Sequence, residues 1–190
     1  MCNGVYVFEF ESEQITASGQ EVFLPPDLLY TRVLQLILDT DCARLPKQII
    51  LKKEDCQHKH LFDNELRIYQ KLEALQGTAI PQMHGLATIH GTRALVLSDI
   101  GGTALVEEGT RWVESTRLEE MLDRTIRQIW SMGVRLKDLS LLNVHLCEDA
   151  IWIVDFEEAE IMAGRVDESD VEDQAQASWH SSDVEEAWLL

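Results

Sequence analysis

The chain has 190 residues, 45% of them hydrophobic and 26% charged, with 34 acidic against 16 basic side chains and a net charge of −18. Such a composition can bury a core, which argues against wholesale disorder, and the length fits one domain or two small lobes sharing one interface. The acidic balance argues against nucleic acid and anionic membranes as partners, since both need a basic footprint.

The N-terminus, MCNGVYVFEFESEQ, has neither a basic n-region nor a long apolar run, so no signal peptide and a cytoplasmic location are expected. Tyr6, Phe8 and Phe10 recur at every second position, a strand period. The polar stretch ESEQITASGQE follows, up to Pro25-Pro26, so residues 1–26 read as either an added strand or a loose leader. Strand-like runs come next at Tyr30–Ile37 and Lys47–Leu51, with the turn LDTD after the first and CARL as a short partner strand between them. Leu61, Phe62, Leu66, Tyr69, Leu72 and Leu75 have a helical period, predicting a helix from His60 to Leu75 that stops at Gly77. Leu86–His90 and Ala94–Ser98 read as a hairpin turning at Gly91-Thr92, and Gly101-Gly102 as a hinge. Thr116-x-x-Glu119 is a capping box for a helix whose core face is Leu118, Met121, Leu122, Ile126 and Ile129, ending at Gly133. The strands VHLC and AIWIV follow, joined by Glu148-Asp149. From Glu157 to Leu190 eleven acidic residues face one arginine, an acidic tail that also carries Trp179 and Trp188.

There is no internal repeat, and no segment approaches the roughly 18 consecutive apolar residues of a membrane span. Cys2, Cys42, Cys56 and Cys147 form no C-x-x-C pair, the pattern of free thiols in a reducing compartment. Cys56-x-His58-x-His60 reads as a solvated loop leading into a helix. Sheet and helix, hinge, helix and hairpin together make a two-lobed α+β plan.

Chemistry concentrates in RLKDLSLLNVHLCEDAIWIVDF, Arg135 to Phe156. Asp138 is followed five residues later by Asn143, and the strand AIWIV runs into Asp155. Three oxygen-bearing side chains thus gather at the mouth of one hairpin. Phosphoryl transfer needs such a set: a carboxylate to orient the acceptor hydroxyl, an amide and a second carboxylate to hold Mg²⁺. Each also has a plain structural reading: Asp138 and Asn143 as turn residues bonding local backbone, Asp155 as a strand-end cap.

The segment resembles the D-x-x-x-x-N catalytic loop and D-F-G turn of the protein-kinase-like superfamily, with Leu136-Lys137 for the usual His-Arg and Asp155-Phe156-Glu157 for the turn. From Tyr30 to Glu160 it is most similar to small truncated kinase-like proteins of filamentous fungi, in strings such as QGTAIPQMHG, RALVLSDIGG and VDFEEAE. Asp-Phe-Glu is also similar to choline-kinase and aminoglycoside-phosphotransferase relatives, where the carboxylate still binds metal.

The resemblance implies an α+β, two-lobed protein-kinase-like fold with a small antiparallel N-terminal sheet plus one helix and a reduced C-terminal lobe. It would place the N-lobe in residues 27–100, the reduced C-lobe in 101–160 and the acidic tail in 161–190. It implies ATP and Mg²⁺ as cofactors. Lys52, in IILKK, would grip the α/β-phosphates, braced by Glu65; Lys53 competes, since only one of the two can face a cleft. Backbone near Asp99, Ile100 and Gly101 would bind adenine, Asn143 and Asp155 the metal, and Asp138 would orient an acceptor alcohol. The turn LDTD lacks the glycines that cradle phosphates, and 34 residues after Phe156 are too few for an activation segment and substrate-binding helices. Those departures favour the alternative, a pseudokinase scaffold that meets a protein partner through its acidic tail.

Overall fold

The computed structural model describes residues 4–22, 32–106, 115–137 and 139–162. Pro25-Pro26, Asp138 and the tail with Trp179 and Trp188 lie outside the described residues. Two compact units divide the chain: residues 1–63 with 82–99, and residues 64–81 with 100–190.

The first unit is built on β1 (Gly4–Phe10), β2 (Glu13–Val22), β3 (Arg32–Leu38), β4 (Gln48–Lys53), β5 (Met83–Ile89) and β6 (Thr92–Ser98). All neighbours are antiparallel, in the order β1-β2-β3-β4-β6-β5, and β1 closes the ring by pairing Glu9 with Thr88 and Phe10 with Ala87 of β5. Alternation along each strand sends one set of side chains inward. Phe8 and Phe10 from β1, Leu34, Leu36 and Leu38 from β3, and Ile49 and Leu51 from β4 fill the interior against small Ala17, Ala87 and Ala94. Mixing large and small residues is how a narrow barrel packs without voids.

This closed barrel corrects the expected two-lobed kinase-like fold with its small antiparallel N-terminal sheet plus one helix: the described chain is mostly antiparallel sheet, with only α1 (Lys59–Lys71) and α2 (Ser115–Ser131) as α-helices. The physical reason is residues 4–22. Instead of trailing as a leader, they supply two strands, whose extra width lets the twisted sheet meet its own edge. Glu11 and Ser12 turn this hairpin with φ of 47° and 67°, left-handed values at both central positions, without the Asn or Gly that usually marks such a turn. Gly19 lets β2 approach β3: a Cβ there would lie 2.0 Å from the carbonyl oxygen of Gln35. CARL forms no strand, only a tight turn with a single bridge between Cys42 and Leu45.

The second unit holds α2, β7 (Thr103–Ala104), β8 (Val134–Arg135), β9 (Val144–Cys147), β10 (Ala150–Ile153) and β11 (Glu160–Ile161). β9 and β10 form the expected hairpin, with β7 beside β9, and β8 pairs with β11. α2 starts one residue ahead of the predicted cap and buries Leu118, Leu122, Ile126, Ile129 and Trp130. Gly133, at φ 78°, ends it. Among the described residues, no helix is long and apolar enough to cross a membrane.

Candidate functional site

Helix α1 buries Phe62, Glu65, Ile68 and Tyr69 along one stripe, which Leu72 continues just past its end. An acid in the middle of an apolar stripe has to be compensated, because a desolvated carboxylate is costly. Glu65 is 0% exposed, and its Oε1 accepts the backbone N–H of Phe156 at 3.2 Å. The same stretch is held from the neighbouring position. Asn64 Nδ2 donates to the carbonyls of Glu157 (2.9 Å) and Ala159 (2.7 Å). The Phe156 ring is fully buried and meets Tyr69 edge-on, centroids 5.4 Å apart at 86°.

This anchoring fixes the turn that follows β10. Asp155 adopts φ 66°, a left-handed conformation that aspartate tolerates better than most residues, and its Oδ1 accepts the Glu157 N–H at 3.3 Å. Carboxylate oxygens of Glu65, Asp155 and Glu157 consequently all lie within 4.8 Å of one another. At that separation two carboxylates repel by about 3.5 kcal/mol at an effective dielectric of about 20.

Asn143 stands at the same end of the hairpin. Its carbonyl accepts the Val154 N–H at 2.9 Å, one residue before Asp155, while its own N–H bonds the Ser140 carbonyl at 2.9 Å. On the far side of the turn, Glu160 pairs with Arg135 and, at 3.2 Å, with Lys137. Arg135 first, then Lys137, hold the Glu160 carboxyl below the usual carboxylate range. These ion pairs tie β11 to β8 directly after the three carboxylates.

The donor set fits a hard divalent cation. Mg²⁺ and Ca²⁺ take oxygen ligands at about 2.1 and 2.4 Å, so oxygens on opposite sides of one ion stand about 4.2–4.8 Å apart. Asp155 and Glu157, both half-buried, are the accessible members, whereas Glu65 already serves the Phe156 amide.

The other predicted residues distribute as follows. Lys52 belongs to the first unit, 5% exposed, in register with Val33 and Leu95. Its neighbours Ile49 and Leu51 point into the barrel, so Lys52 lies on the outer face of β4, with buried Leu95 and Leu97 of β6 on the same side. Lys53 is half-buried. Asp99, also in the first unit, accepts a hydrogen bond from Gln35 Nε2 at 2.9 Å. Ile100 and Gly101 begin the second segment of the second unit, Gly101 at φ 60°. Asp138 falls outside the described residues.

Glu157 is the member that sequence reasoning passed over, as a departure from glycine rather than a donor. Residue spacing gives no signal for it; the fold of the turn does. Residues 155 and 157 flank the buried Phe156 ring and are themselves half-buried. No protein-family model and no curated protein sequence matches the chain.

Proposed function

We propose that this protein binds a divalent cation together with ATP, using Asp155 and Asn143 as metal ligands and Glu157 as a third oxygen donor. The carrying observation is the convergence of Glu65, Asp155 and Glu157 within 4.8 Å, around a turn fixed by the Phe156 amide and ring. A bound Mg²⁺ would neutralise the phosphate oxygens of the nucleotide. Asn143, whose carbonyl bonds the Val154 N–H one residue before Asp155, would with Asp155 make the amide-plus-carboxylate pair that such ions take, with phosphate oxygens and water completing the shell. In this reading Asp138 orients an acceptor alcohol for phosphoryl transfer. Asp138→Ala should then abolish transfer while sparing nucleotide binding.

The metal part is tested with Mn²⁺ as probe, followed by electron paramagnetic resonance. Wild-type protein should bind it, and Asp155→Asn and Glu157→Gln should each weaken binding by about tenfold or more, in the range seen when a supporting group of a metal site is lost. An identical Mn²⁺ titration of wild type and Asp155→Asn overturns the proposal.

A second reading is supported by the turn after β3. Asp39 there accepts the Ser18 hydroxyl at 2.8 Å and Asp41 pairs with Lys47 at 3.4 Å, an acidic, glycine-free turn that repels phosphate. It favours a catalytically inactive cytoplasmic scaffold that holds a protein partner through the acidic tail. Deleting residues 166–190 should then abolish partner capture and leave metal binding untouched.

A further inference from the structure

We draw no further inference here: the strongest candidate, the exposed apolar outer face of the barrel formed by Val5 and Val7 of β1 and Ile37 of β3, carries nothing because nothing in the structure shows what covers it.

Discussion

Replacing Arg93 with methionine should destabilise the protein by about 2–3 kcal/mol. Arg93 lies on β6, and its guanidinium grips Glu54 through two bonds, Nη2 to Oε1 at 2.5 Å and Nε to Oε2 at 3.2 Å. It also reaches Asp63 at 2.8 Å and lies 4.8 Å from the centre of the Phe62 ring. The three contacts are unequal. Glu54 is only 9% exposed, so its charge-assisted bonds carry most of the effect, about 1.5–3 kcal/mol. Asp63 is 54% exposed and adds little, and the cation–π contact adds about 0.5–1 kcal/mol. Because Arg93 itself is 41% exposed, the sum belongs near the lower end of the range. Methionine keeps the apolar stem over Phe62, so the loss reports the charge.

Urea unfolding at pH 7 measures the change, and at about 2–4 °C per kcal/mol the melting temperature should fall by roughly 4–12 °C. The bond from Arg93 holds the Glu54 carboxyl below its ordinary value near 4.5. A depressed carboxylate stabilises the fold above that ordinary value and loses its contribution as pH falls through the folded one. Wild type and variant should therefore converge in acid. The double variant with Glu54→Gln should recover part of the loss by removing the orphaned charge. A destabilisation below about 0.5 kcal/mol at pH 7, the size of an ordinary surface change, would refute the reasoning.

Gly19→Ala should cost about 1–3 kcal/mol in urea unfolding, because its Cβ would meet the Gln35 carbonyl and the β2–β3 pair would have to spread; unchanged stability contradicts the close approach. Phe156→Ala should cost about 3–5 kcal/mol and release the turn bearing Asp155, read as lost thermal stability together with lost Mn²⁺ affinity. Burial pushes the His84 imidazole, whose Nε2 lies 3.0 Å from Ser98 Oγ, below its ordinary 6.5. Its neutral form is thus the stable one, so stability is full above 6.5 and falls as pH drops below it; His84→Gln should flatten melting temperature against pH between pH 7 and 5, and an unaltered slope contradicts this.

Local structure was legible wherever it rested on periodicity or a glycine turn. The helices around Tyr69 and Ile126 followed from their apolar stripes, and the β5–β6 hairpin from Gly91, which adopts φ 76°. The barrel was not legible. Its decisive pairing joins Phe10 to Ala87 across 76 intervening positions, and its first hairpin turns at Glu11-Ser12, without the Asn or Gly that usually marks such a turn. The polar run ESEQITASGQE hid β2 because only Ile15 and Ala17 alternate inward. At the candidate site, Glu65 was named only through the kinase resemblance, as the brace of Lys52, and Asp155 as the end of a strand. Glu157 acquired meaning only when the Phe156 ring was seen buried between the two carboxylates. A third oxygen donor of this kind depends on the fold of a turn, which residue spacing alone does not report.

The most direct test of the account is thermal unfolding with and without ATP plus Mg²⁺, on wild type and on Asp155→Ala. Ligand at about 100 times its dissociation constant adds roughly 2.7 kcal/mol, which at about 2–4 °C per kcal/mol raises the melting temperature by roughly 5–11 °C. The account predicts that rise in wild type, its dependence on Mg²⁺, and its loss in Asp155→Ala. No shift at millimolar ATP and Mg²⁺, or an equal shift in the variant, would contradict it.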